Sequence, residues 1–210
     1  MSADWGLALH TTTDILGLAL MRSDQEYRDS QERLGLDLSN LLLVRMRDFL
    51  PPQSLQDLAF VAVANGPGSF TSTRVGLVVA RTLGQQLAIP VFTISSLALW
   101  AGRNTEKAII AVHLDARRNE RYGAIYQGGH GAMKPIVAED IFAAETWRAL
   151  LETHQPDQVI DGGAQTIIPV TALAQMAWQR YQQGERPLWN EAVANYMRQP
   201  AINTQSPTGS

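Results

Sequence analysis

Residues 59–90, AFVAVANGPGSFTSTRVGLVVARTLGQQLAIP, constrain the fold more than any other stretch of the chain. Residues 59–64 form a short apolar run with two valines and a phenylalanine, which is the composition of a buried strand. Asn65-Gly66-Pro67-Gly68 cannot continue a strand and supplies the dihedral freedom for a sharp structural turn at Gly66, Pro67 and Gly68. Ser69 and Thr71 are both suited to cap the helix that follows. Pro90 closes the helical stretch, and VFTIS reads as the next strand. The spacing therefore predicts a βαβ unit with a Gly-Pro-Gly elbow, and hence an α/β protein.

The helix carries two stripes. At about 100° per residue, Val75, Val79, Leu83 and Leu87 share one side, while Arg74, Arg81 and Gln85 lie opposite. Beside the apolar face, Ser72, Gly76, Ala80 and Gly84 recur every four residues. A glycine inside a helix costs about 1 kcal/mol relative to alanine, so two of them imply a compensating close approach of another backbone. That approach is either to the chain's own sheet or to a helix of another subunit.

Generic phosphate and nucleophile motifs do not fit the elbow. No lysine follows the glycines as a P-loop requires, and Thr71 stands where the dinucleotide pattern needs its third glycine. Pro67 and Thr71 break the hydrolase elbow around Ser69. A nucleophilic Ser69 or Ser95 has no assignable histidine base. His113 and Asp115 are too closely spaced to define a metal site, and an Asp–Arg turn network is the simpler reading of Asp115-Ala116-Arg117-Arg118.

The remaining chain reads as follows. Strands are expected at 5–10, 15–21 and, at the edge, 26–29, then a helix over 37–50 stopped by Pro51-Pro52. On that helix Leu38, Leu42, Leu43, Met46, Phe49 and Leu50 cover one broad face, and Leu41 and Val44 project to the other. A short helix is expected at 95–104, strands at 108–114 and 121–127, a flexible turn at 128–131, a helix at 145–154, a strand at 157–161 before Gly162-Gly163, and a helix at 170–181. Residues 199–210, rich in Pro, Thr, Ser and Gln, read as a disordered tail. No internal repeat is visible.

Composition narrows the function classes. Across 210 residues, a net charge of −3 provides no basic footprint for nucleic acid. The absence of cysteine excludes disulfides and thiolate metal sites and fits a reducing compartment. No run of about 18 apolar residues is present, and the N-terminus lacks the pattern of a secretion signal.

The stretch GPGSFTSTRVGLVVARTLGQQLAIPVFTISSL resembles the signature of the TsaB (YeaZ) family, usually close to GPGSFTGLRVGLA followed by IPV and SSL. Three further segments match in order: Leu7-Ala8-Leu9-His10-Thr11-Thr12-Thr13, Leu114-Asp115-Ala116-Arg117-Arg118 with Tyr122, and Tyr196-Met197-Arg198. The resemblance implies an actin-like ATPase (ASKHA) duplicated fold of two small lobes, 1–102 and 103–198, with a degenerate nucleotide site. It implies a non-catalytic scaffold subunit that pairs with and activates a TsaD-type catalytic subunit, alongside a TsaE-type ATPase. The complex uses ATP and transfers a threonylcarbamoyl group to N6 of a tRNA adenosine, in the cytoplasm; tRNA is met through the complex, and this chain holds no cofactor or metal firmly. The partner surface implied is Leu41, Val44, Ser72, Gly76, Ala80, Leu83 and Gly84, and helices with such stripes also self-associate as homodimers. The sequence departs from the family pattern at His10, Ser72 and Thr73. Kinases of this fold have an Asp at the position of His10, where it helps hold the metal–nucleotide. A neutral imidazole is a poor oxygen-ligand substitute beside Mg²⁺, which argues against the alternative of an ATP-binding phosphotransferase.

Overall fold

The computed structural model describes residues 4–23, 26–102, 108–129, 132–165 and 167–197. The first sheet contains β1 (Trp5–His10), β2 (Ile15–Ser23), β3 (Glu26–Arg33), β4 (Leu58–Ala64) and β5 (Val91–Ile94), in the order β3-β2-β1-β4-β5. β1, β2 and β3 form an antiparallel meander, and β4 and β5 add in parallel. Helices α1 (Leu38–Phe49) and α2 (Phe70–Leu87) make the connections to the parallel strands, as parallel pairing requires. After α3 (Ser96–Ala101), the second sheet contains β6 (Ile109–Asp115), β7 (Glu120–Gly129), β8 (Ala132–Ala143) and β9 (Gln158–Asp161), in the order β8-β7-β6-β9. Helix α4 (Ala144–His154) precedes β9, and α5 (Val170–Gln182) follows it. The second sheet thus repeats the first: an antiparallel meander, then a strand parallel to its first member. The duplication lies in connectivity, and the residues of the two halves do not repeat.

Alternation along β1, β2 and β4 gives the first sheet two unlike faces. Leu7, Leu9, Leu16, Leu18, Leu20, Val61 and Val63 point to one side, where Leu38, Leu42 and Met46 of α1 and Leu77, Ala80 and Leu83 of α2 cover them. Ala8, Ala19, Ala62 and Ala64 point to the other, where Val170, Leu173, Ala174 and Ala177 of α5 lie close. Small side chains on both elements permit that close layer. A Cβ on Gly17 of β2 would stand 2.5 Å from Ile168 Cδ1. The second sheet is covered by Leu97 and Trp100 of α3 on one face and by Trp147 of α4 on the other.

Four expectations are corrected here. The 12-residue strand β8 fills a region with no expected element beyond a turn; its edge position and Pro135 blur the period-2 signal, and residues 130 and 131 of the turn lie outside the described residues. β3 continues to Arg33, because an edge strand tolerates charged residues on both faces. Leu43 points outward, 57% exposed. The chain after residue 167 does not stay with the second lobe, because α5 covers the alanine face of the first sheet. The expected tail at 199–210 lies outside the described residues, as do Arg198 and residues 103–107, which include the end of the helix expected at 95–104.

Helix α2 approaches the β1–β2 turn so closely that a Cβ on Gly76 would lie 2.2 Å from the Thr11 hydroxyl oxygen. Gly76→Ala is expected to destabilise the fold by about 1–3 kcal/mol, measured as a lower urea midpoint. An unchanged midpoint would refute this close packing.

Candidate functional site

The elbow is joined to the neighbouring turns by hydrogen bonds. Gly66 adopts φ +99°, a conformation that favours glycine. The Ser69 N–H donates to the Thr12 carbonyl at 2.7 Å, and the Ser96 N–H donates to the Gly66 carbonyl at 2.8 Å. A Cβ on Gly68 would stand 2.3 Å from that same Thr12 oxygen. Thr12 Oγ1 and Ser96 Oγ lie 3.1 Å apart in a hydrogen bond that either hydroxyl can donate. Gly66, Pro67 and Gly68 therefore occupy a turn pressed against the β1–β2 connection. Ser69 caps α2 by accepting from the Ser72 N–H, and Ser95 caps α3 by accepting from the Leu97 N–H.

His10 ends β1 beneath this junction. It is buried, with Nε2 3.4 Å from Thr12 Oγ1, and its Nδ1 has no partner among the described residues. Burial lowers its pKa from 6.5 to about 4, so the ring is neutral at pH 7. The Thr12 hydroxyl beside it is in turn hydrogen-bonded to the Ser96 hydroxyl.

A second polar network spans the lobes. The Tyr126 hydroxyl donates to Glu139 Oε1 at 2.6 Å, and Asn195 Nδ2 donates to Glu139 Oε2 at 2.8 Å. The Asn195 N–H donates to the Asn65 carbonyl at 2.8 Å, and Asn65 Nδ2 returns a bond to the Val193 carbonyl. Burial and the adjacent Glu139 carboxylate raise the Tyr126 pKa, so the phenol remains a donor. This network was not legible in the sequence, because its members lie far apart along the chain and match no motif.

In the second lobe, Asp115 accepts from the Arg117 N–H and from Arg121 Nη1, each at 3.2 Å. Arg117, Arg118 and Asn119 all have positive φ, which makes this a tight hairpin turn. At the Gly-Gly turn after β9, a Cβ on Gly162 would meet Trp100 Nε1 at 2.5 Å. That glycine accommodates an indole.

The two stripes of α2 are separated clearly. Gly76, Ala80, Leu83 and Gly84 are buried within the chain's own fold, and Ser72 is half-buried against the Ser69 cap. Gly84 faces Val91 and Trp189. The expected partner role of these four buried residues is therefore corrected: the close approach indicated by the glycines is within the chain, to the β1–β2 turn and to β5. Leu41 is half-buried, and Val44 is exposed. The outward side of α2 is formed by Phe70, Thr71, Arg74 and Val78. With Leu43 of α1 they border a groove of about 420 Å³ floored by Leu42, Val75 and Val79. Val78 is 62% and Phe70 46% exposed. Sequence reasoning assigned Leu43 to the core-facing side of α1 and singled out neither Phe70 nor Val78, whereas Arg74 is exposed on the side opposite the apolar stripe, as its spacing indicates.

The family described as TsaD: tRNA N6-adenosine threonylcarbamoyltransferase matches residues 53–179, more than half of the chain. The tRNA threonylcarbamoyladenosine biosynthesis protein TsaB of Bacillus subtilis is 32% identical over 150 residues, 70% of this chain and 65% of that protein's length. The Escherichia coli TsaB is 24% identical over 217 residues, covering 91% of this chain and 94% of its own. The chain belongs to the TsaB (YeaZ) family. The structure of YeaZ from Pseudomonas aeruginosa superimposes with a TM-score of 0.76 at 25% identity, covering 91% of this chain and all of that one. The α/β architecture of two sheets with repeated connectivity, expected from the actin-like resemblance, is thus shared with YeaZ. Among the described residues no helix is long and apolar enough to cross a membrane.

Because the folded protein holds His10 neutral down to about pH 4 while an unfolded chain protonates it near 6.5, its contribution to stability is full above pH 6.5 and falls as pH drops toward 4. The total loss expected is on the order of 3 kcal/mol. Urea titrations between pH 7 and 4 are expected to show a steeper decline in the native protein than in His10→Gln; parallel curves would contradict a buried neutral imidazole.

Proposed function

We propose that this chain is a non-catalytic scaffold subunit of a complex that forms N6-threonylcarbamoyladenosine in tRNA, and that it pairs with and activates a TsaD-type catalytic subunit. The observation that carries this reading is the exposed apolar groove between α1 and α2, where Leu43, Phe70 and Val78 stand in solvent beside one another. Monomeric proteins seldom leave such a contiguous patch uncovered. The names of the B. subtilis and E. coli relatives support the pathway. The occupied elbow, with Thr12 against Gly68 and Thr11 against Gly76, supports a role other than nucleotide chemistry.

In this role the chain supplies no reacting group. It raises activity by binding the competent conformation of its partner more tightly than other conformations. The TsaE-type ATPase, the tRNA and the ATP belong to the assembled complex, which works in the cytoplasm.

The test is a reconstituted transfer reaction on tRNA with TsaD-type and TsaE-type subunits, with and without this chain. Modification is expected to depend on it, and equal modification in its absence would overturn the proposal. Leu43→Arg and Val78→Arg are expected to abolish copurification with the TsaD-type subunit, while leaving the melting temperature unchanged because both positions are exposed. These variants are better probes than changes at Gly76 or Gly84, which would disturb the core.

A further inference from the structure

The α1–α2 groove has one cationic group on its border, and its geometry is fixed from two sides. The Arg74 guanidinium carbon lies 3.7 Å from the centroid of the Phe70 ring. Helical side chains lean toward the N-terminus, so Arg74 reaches back over the residue four positions earlier. Its Nε donates to the Tyr196 hydroxyl at 2.6 Å, and the Tyr196 ring lies 5.5 Å from that of Phe70. Stacking fixes the plane of the guanidinium, and the hydrogen bond fixes its rotation within that plane.

Its charge is unmatched. Among the described residues Arg74 has no carboxylate partner, whereas Arg45 on the neighbouring helix is closed by Glu32 through two bonds of 2.6 and 2.9 Å. With Nε taken by Tyr196, the Nη1–Nη2 edge of Arg74 remains for an acceptor. A guanidinium presents that edge in the geometry of a carboxylate. Any apolar surface that fills the groove also removes water from Arg74, and a desolvated cation without a counter-charge is strongly unfavourable. An occupant must therefore bring both an apolar face and an anion.

We propose that the groove receives an amphipathic helix of the TsaD-type partner whose apolar face carries one Asp or Glu, and that Arg74 binds this carboxylate bidentately. The inference rests on the pairing reading above and adds the chemistry of the contact. Tyr196 is a positioning residue: its hydroxyl orients the guanidinium, and through the same segment Asn195 is tied to Glu139 of the second lobe.

The test measures affinity for the purified TsaD-type subunit by calorimetry across a salt series. Arg74→Gln is expected to weaken binding on the order of 10- to 100-fold and to flatten its salt dependence. Arg74→Lys, which keeps the charge but loses the fork, is expected to recover only part of the affinity. Tyr196→Phe is expected to weaken binding several-fold in the native background and to have no effect in Arg74→Gln, as a coupled pair requires. Arg74→Glu is expected to be rescued by a charge reversal at one carboxylate of the partner's interface helix. If Arg74→Gln binds as well as the native chain while Val78→Arg does not bind, the carboxylate contact is overturned and the pairing stands. If the native chain does not bind at all, the pairing reading fails and this inference fails with it.

Discussion

The hydrogen bond from the Ser69 N–H to the Thr12 carbonyl fixes where α2 begins relative to the first hairpin, and the rest of the first lobe follows from that point. With the bond in place, Gly68 must lack a side chain, because its Cβ would fall on the accepting oxygen. Two turns further along the helix, Gly76 passes over Thr11, and two turns beyond that Gly84 passes over Val91. The three glycines thus mark a single line of contact between α2 and the edge of the parallel strands. Their cost in helix propensity, about 1 kcal/mol for each interior position, is offset by the layer of buried leucines that the close approach completes. The same line of contact presses Thr11 and Thr12 onto the elbow, which leaves His10 in an environment of hydroxyls. There burial is the largest influence on its ionisation and lowers its pKa.

That contact also determines which residues reach solvent. At about 100° per residue Val78 lies roughly opposite Gly76, so once the glycines face inward, Phe70, Arg74 and Val78 face outward. The exposed groove is a geometric consequence of the elbow. A small-residue line and an apolar line lie next to each other on α2, and only one of them can lie directly on the sheet.

The βαβ unit, the helix boundaries and the capping role of Ser69 were legible in the sequence because they rest on local signals: a glycine elbow, a proline stop and a 3.6-residue period. β8 was not, because Pro135 and the charged residues of an edge strand mask alternation. The placement of α5 was not, because it depends on an alanine face whose residues, on β1, β2 and β4, lie more than a hundred residues away in sequence. At the surface, the interior glycines of α2 correctly signalled a close approach, but sequence alone left open whether the approach was within the chain or between chains. Leu43 was misplaced for a related reason. Hydrophobicity ranks residues for burial only when they exceed what the core can hold by a small margin, and α1 has more apolar residues than one sheet face can cover.

Under the proposed scaffold role, rigidity has a direct thermodynamic consequence. Association loses free energy wherever it must order a mobile segment. Here the ties between the lobes are made within the chain itself: Glu139 of β8 binds Tyr126 and Asn195, Asn195 binds the elbow residue Asn65, and Tyr196 binds Arg74. Each tie places the groove's border in a defined position relative to both sheets before any partner arrives. Such ties across the lobes oppose any opening of one lobe against the other. If the chain acts as the proposed scaffold, the free energy that would otherwise order the lobes remains available to distinguish one conformation of the partner from another.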